Sequence, residues 1–339
     1  MDKMLTKPIT SNAAWTQSSL SDDDWTIDLT RPQIEELVDA SNHISGSGRL
    51  WHQTCRADFV VPEWTSLIAS LQSTLEGGRG FARVRALPVS DISTESAKLM
   101  LWGLGQHLGF PEPQDASGNL LHDVCDTGKR LDAGNVRAYQ TNLPINYHND
   151  GADAFVLMCY RAASSGGKSK LVSAVSVFNA ILDRRPDIAG VLQEPFDFDA
   201  RGQERPGSPP YQRVPIYTSF AGHLNTLYKR DYIELAQRFA DVPKLTPLQI
   251  EALDLMDEVC NELALEFVME PGDIIVANNY DILHGRSAFD NAETDAEPRH
   301  MLRLWLSLPN GRPLPPIFEQ TREFYHSYTR RNTQTESHT

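Results

Sequence analysis

The chain has 339 residues, 40% hydrophobic and 22% charged, the composition of a globular protein with length for one large domain or two small ones. Its formal net charge is −14 and its acids are scattered, so its surface repels nucleic acid and anionic membranes, and neither is expected as a partner. No segment approaches the roughly 18 apolar residues of a membrane span, and the four cysteines, at 55, 125, 159 and 260, lack the spacing of a zinc–thiolate cluster or a disulfide framework. A cytoplasmic protein with a small-molecule partner is expected.

Residues 1 to 30 carry little periodicity. Three helices are predicted next, from QIEELVDASNHI (33–44), WTSLIASLQSTL (64–75) and TESAKLMLWGLGQHLG, which stops at Gly109 with Pro111 beyond. Strands are predicted at 80–87, 135–140, 154–162, 170–177, 265–269, 273–279 and 300–308. Between the strand groups lies a helical insertion, about 178–264. It holds the best-signalled helix, in which Thr246 is the N-cap, Pro247 takes the first turn and Gln249 completes a capping box. The polar tail from 326 to 339 is expected to be disordered.

Strands in both halves without a βαβ rhythm argue against a parallel doubly wound sheet. The expected fold is mainly β with flanking helices, a jelly roll, forming a single catalytic domain over residues 1–325.

Residues 146–153 read NYHNDGAD. Asn149-Asp150-Gly151 is a tight-turn signal, because these residues tolerate positive φ. His148 and Asp150, one residue apart, are also placed to turn toward one ion. Iron(II) oxygenases bind the metal with two imidazoles and one carboxylate on one face of an octahedron. The third ligand must then come from afar, and His284 is the candidate, 136 residues downstream of His148 in PGDIIVANNYDILHG. Gly285 is expected to let the backbone bend away after it.

Beyond His284, alternation in EPRHMLRLWLSL puts Arg299, Met301, Arg303, Trp305 and Ser307 on one face and His300 with four leucines on the other. Either the arginines face water, or both faces are buried and the arginines meet anions. A keto-diacid would satisfy the second reading, since a guanidinium grips a carboxylate with two hydrogen bonds.

These residues resemble the taurine dioxygenase-like (TauD/TfdA) family of iron(II)- and 2-oxoglutarate-dependent oxygenases. The matching pattern is His148-Asn-Asp150, Gly166-Gly167-Lys168-Ser169, His284, and Arg299 fifteen residues later, and the resemblance runs from about Trp15 to Glu319. It implies a double-stranded β-helix (cupin-like) core, with His148, Asp150 and His284 binding Fe(II). It also implies that Ser169 stands for a threonine hydroxyl on the 2-oxoglutarate cosubstrate and that Arg299 holds its distal carboxylate. Arg303 matches a position that touches substrate in the taurine enzyme, and a cosubstrate contact is equally open to it. Because Asp150 is present, where related halogenases have a small residue, hydroxylation, desaturation or oxidative cyclisation is implied, with O2 consumed and succinate and CO2 released. Substrate would be a small molecule with a carboxylate for Arg303.

Gln140 and Asn142 precede the metal loop and are candidates for the substrate pocket; 203–215 is a candidate lid. His107, His122 and His223 lack ligand spacing. Two other readings stay open from the residues: a metal-dependent cupin-like enzyme that does not use 2-oxoglutarate, and a non-catalytic jelly-roll binding protein. Self-association into a homo-oligomer is not decided by the sequence.

Overall fold

Alternation and β-branching along the predicted strands translate into two main sheets in the computed structural model, which describes residues 3–128, 138–204, 207–291 and 298–336. The strands that build them are β1 (Thr26–Asp28), β2 (Phe81–Arg85), β3 (Phe110–Pro111), β4 (Leu121–Cys125), β5 (Ile145–His148), β6 (Ala154–Arg161), β7 (Ser169–Ser173), β8 (Leu265–Phe267), β9 (Ile274–Asn278), β10 (Ile282–Arg286) and β11 (His300–Ser307). The larger sheet runs β1-β2-β9-β6-β11-β3, with β4 also on β11, and the smaller runs β8-β7-β10-β5. Only the β1–β2 pair is parallel among these described strands.

The larger sheet is buried on both faces. Outward, Leu302, Leu304 and Leu306 of β11 join Val156, Met158, Ile274 and Val276 against helices α1 (Arg31–Gly46), α2 (Thr65–Gly77) and α3 (Thr94–Leu108). Inward, Met301 and Trp305 pack with Phe81, Phe155 and Ile275 and with Leu171 of the smaller sheet. The arginines that alternate with them are therefore inside: Arg299 is 3% and Arg303 8% exposed. This excludes the reading in which they face water.

Helices α4 (Ala174–Arg184), α5 (Pro186–Val191) and α6 (Pro247–Leu263) carry a second core that covers Val172 and Leu283 of the smaller sheet. The capping box of α6 forms as its sequence requires: Gln249 N donates to Thr246 Oγ1 (3.2 Å) and Thr246 N to Gln249 Oε1 (3.0 Å).

Several expectations are corrected. The run 170–177 is half strand, because Ser173 Oγ accepts from Ser176 N at 3.0 Å and starts α4 as its N-cap. Of the strand expected at 135–140, residues 138–140 form a 3-10 turn and 135–137 lie outside the described residues. The insertion at 178–264 is not purely helical; it includes two antiparallel hairpins, Pro195–Asp199 with Tyr211–Pro215 and Tyr217–Phe220 with His223–Thr226. The candidate lid thus ends in a paired strand. Instead of a disordered tail, a helix, α7 (Tyr325–Glu336), follows Phe324. Polarity misled the prediction there, since the polar groups are used: Ser327 is fully buried on Ser307 (2.8 Å), Arg330 Nε donates to Glu112 (2.8 Å) and Arg331 Nη2 to Asp153 (2.5 Å). Residues 337–339 lie outside the described residues.

Candidate active site

His148 closes β5, and the register pairs it directly with His284 on β10. Cross-strand partners project to the same face, and the two imidazoles meet with ring centroids 4.2 Å apart. Asp150 completes the group: its carboxylate oxygens lie 4.0 Å from Nε2 of His148 and 3.6 Å from Nε2 of His284. One ligand atom from each of the three residues falls within 4.8 Å of the others. The strand continues through Gly285 to Arg286 in regular register with β7, while its pairing with β5 shifts between His284 and Arg286, an irregularity at the glycine where a bend was expected.

The loop between the ligands is held from afar, and so it is not a free-standing hairpin turn. Asn149 is fully buried; it accepts from Tyr228 N (2.6 Å) and donates to the carbonyl of Asn279. Asn279 in turn accepts from Asp150 N (3.2 Å) and donates to Gly151 O (2.7 Å). The positive φ falls on Ala152 (+60°), whereas Gly151 is required for space, since a Cβ there would sit 2.5 Å from the Trp305 ring. Of the two readings of this stretch, the metal-site reading accounts for the geometry.

The protonation states suit a divalent cation. Burial, the largest influence, keeps both imidazoles neutral by lowering their pKa, and the neighbouring His148 lowers His284 further. His148 Nδ1 lies 2.9 Å from Asn146 O, so it carries the proton and leaves Nε2 free to coordinate. Burial alone would raise the Asp150 carboxyl, but Arg303, the largest opposing influence, holds it below the usual carboxylate range. Two neutral nitrogens and one anionic oxygen are the donor set a non-haem iron takes.

These side chains open into a cavity of about 650 Å³ lined by both sheets. Away from the triad its wall carries Ser169, Arg286 and Arg299. Arg299 Nη1, and Nε and Nη1 of Arg286, are buried without a hydrogen-bond partner among the described residues. Desolvation lowers Arg299 to about 10, and desolvation together with Arg299 lowers Arg286 to about 9, so both stay charged at neutral pH. Buried cations with unused donors fit an incoming carboxylate. The glycine pair serves this corner: Gly166 and Gly167 have φ of +71° and +67°, and a Cβ on Gly167 would come within 3.6 Å of Arg299 Nε.

Arg286 was missed by the sequence reading. Its signal was available, because residue 286 shares the strand face of His284 and pairs across from Ser169. Arg303 lines the same cavity but is engaged: Nε donates to Gln114 Oε1 (2.8 Å) and Nη1 to both oxygens of Asp150. Gln140 and Asn142 are not brought to the site. They lie outside the cavity lining, where the Gln140 carbonyl accepts from Thr127 N (2.9 Å) and the Asn142 carbonyl from Phe289 N (3.1 Å). His107 bonds Phe59 O (2.8 Å), His122 bonds Asp115 (3.0 Å) and His223 begins a hairpin strand; none of the three joins the ligand group, although His122 is close enough for Arg303 and Asp150 to act on it.

Residues 45–305 match the model of the taurine catabolism dioxygenase TauD, TfdA family. The chain is 30% identical over 325 residues to FR-33289 synthase of Streptomyces rubellomurinus, covering 93% of this chain and 95% of that protein. It is 26% identical over 302 residues to taurine hydroxylase-like protein SAT17 of Stachybotrys chartarum, covering 86% and 77%. Among solved structures it resembles an asparagine oxygenase complexed with Fe(II), 3-hydroxyasparagine and succinate (TM-score 0.64, 16% identity, 83% of this chain, 93% of that one). The non-haem iron oxygenase OrfP, with Fe, succinate and (3S)-hydroxy-L-Arg, is similar at TM-score 0.62 and 15% identity over the same shares. No helix among the described residues is long and apolar enough to cross a membrane. The chain belongs to the TauD/TfdA family and is an Fe(II)- and 2-oxoglutarate-dependent oxygenase.

Proposed function

We propose that this oxygenase oxidises a C–H bond of a small organic acid, an amino acid among the candidates, and that its outcome is hydroxylation. The hydroxylated products bound to the asparagine oxygenase and OrfP support that outcome over desaturation or cyclisation. The observation that carries the reading is the pairing of the triad with two buried, under-partnered guanidiniums in one cavity.

Fe(II) and 2-oxoglutarate supply, with O2, the oxidative decarboxylation to succinate and CO2 that drives C–H oxidation. The chain's own residues do the rest. His148, Asp150 and His284 hold the metal. Arg299 holds the distal carboxylate of 2-oxoglutarate, and Ser169, on the same wall, offers its hydroxyl. Arg303 we assign to Asp150, whose orientation and charge it fixes, in preference to cosubstrate or substrate. Phe155, Leu157, Ile275 and Trp305 line the chamber with apolar surface that excludes water. The two main sheets are read as the family's double-stranded β-helix, and the chain as one catalytic domain. Four free cysteines support a reducing, cytoplasmic setting.

The test is anaerobic addition of Fe(II), then 2-oxoglutarate, to metal-free protein. A visible charge-transfer band from the chelate is expected; a colourless mixture at saturating concentrations of both sinks the reading.

A further inference from the structure

The cations on the cavity wall fall into groups with different neighbours. Arg299 acts on Arg286, and both keep unused donors among the described residues. Arg230 is neutralised locally by Glu234, Asp254 and Asp257 at 2.7 to 2.8 Å. Lys229 differs from both. It bridges to His148 through the backbone, its charge is felt by all three metal-site residues, and its side chain is 8% exposed.

One carboxylate serves Lys229 and Arg322 together. Glu323 Oε1 lies 2.8 Å from Lys229 Nζ and 3.4 Å from Arg322 Nη1, while its other oxygen accepts from Gln212 Nε2 at 2.6 Å. Lys229 and Arg322 line the cavity, but Glu323 does not. Two cations of the cavity lining thus share one carboxylate that is not part of it, with Asp115, Asp150 and Asp231 the acids on this lining. The Tyr232 ring lies beneath, 5.2 Å from Lys229 Nζ and 5.7 Å from the Arg201 guanidinium, which lines the same end. Nearby Asp231 is exposed and accepts from Asn146 (3.2 Å), so it faces solvent more than this pair. A dianionic cosubstrate at Arg299 would leave this end still positive, and a half-enclosed excess cation in a low-dielectric chamber favours an anion.

We propose that Lys229 and Arg322 form an anion-binding subsite that holds the acid group of the substrate, a carboxylate or a tetrahedral oxyanion, and so presents the rest of the molecule to the triad. The proposal rests on the oxygenase reading for the word substrate, but the subsite itself is testable without iron. Glu323 fixes the position of the lysine ammonium at the cavity edge, and Arg322, at 15% exposure, supplies the fork that matches a planar or tetrahedral acid.

The experiment is calorimetric titration of sulfate and of acetate into the full-length protein with 2-oxoglutarate present to fill the Arg299 end. At least one anion is expected to bind at a single site, weakened tenfold or more in Arg322→Gln and partly restored in Arg322→Lys. Because Lys229→Gln alone would strand a buried carboxylate, its effect is read in the double variant Lys229→Gln/Glu323→Gln, which should lose binding to the same degree. No saturable binding by wild-type protein, or equal affinity in folded variants, overturns the subsite. Among compounds that stimulate succinate release, a free acid should exceed its methyl ester at least tenfold; equal stimulation also overturns it. A missing charge-transfer band strikes the oxygenase reading alone and leaves the sulfate result to stand or fall separately.

Discussion

Arg303 Nη1 lies 3.0 and 3.1 Å from the two carboxylate oxygens of Asp150, while its Nε is tied to Gln114. The guanidinium thus keeps the only anionic metal ligand ionised and fixes its rotation, the work an outer partner does for a metal-binding carboxylate. Arg303→Gln should lower Fe(II) or Co(II) affinity by about 10- to 100-fold with the fold retained. Titration of metal-free protein with Co(II), followed by its visible spectrum, measures this. An affinity unchanged within twofold would assign Arg303 elsewhere.

Arg299 is buried four residues earlier, just before β11, with Nη1 unsatisfied among the described residues. If a carboxylate completes it, Arg299→Ala removes one partner of a desolvated pair and should cost about 2–5 kcal/mol, tens- to thousands-fold in 2-oxoglutarate affinity. Metal affinity should change little, because the main charges acting on the triad are Arg303, Lys229 and the triad's own residues, not Arg299. A 2-oxoglutarate titration of the two proteins decides it; a shift under twofold rules the assignment out.

Gly151 follows a metal ligand and sits against the flat of Trp305. Since an added Cβ would lie 2.5 Å from the indole and 3.1 Å from Glu323 O, Gly151→Ala should destabilise by about 1–3 kcal/mol. The loop carrying Asp150 must then shift, so metal binding should weaken as Tm falls. A variant with wild-type Tm and metal affinity would show that the loop has slack that the packing does not suggest.

Glu323 gives the pH dependence. Burial pushes its pKa up, but Lys229 foremost and then Arg322 pull it down to about 2. A carboxyl depressed in the folded state contributes stability that is fully present above the ordinary glutamate range and is lost as pH falls toward 2. Tm should therefore drop more steeply between pH 5 and about pH 2.5 for wild type than for Glu323→Gln. Parallel Tm profiles would remove this pair from the acid response.

Local pattern was enough for the long helices, for the strands at 81–85, 154–161, 274–278 and 300–307, and for the identity of the three converging ligands. Each of those rests on periodicity, a cap or a short motif, which neighbouring residues carry by themselves. The prediction failed where a residue's partner is remote in sequence. Asn149 read as a turn residue until Tyr228 and Asn279 claimed its side chain, and the polar run after residue 325 read as tail until Glu112, Asp153 and Ser307 claimed Arg330, Arg331 and Ser327.

What the sequence determined alone is the donor set: a histidine, an aspartate and a second histidine, in that chain order, that converge as one metal-binding group. What only the tertiary structure decided is which charges are paired. A guanidinium reads the same at 286, 299, 303 and 322, but burial and partner give one to a metal ligand, leave two with unused donors, and set the last beside a shared carboxylate. Electrostatic energy depends on distance and dielectric, and neither is written in the order of residues.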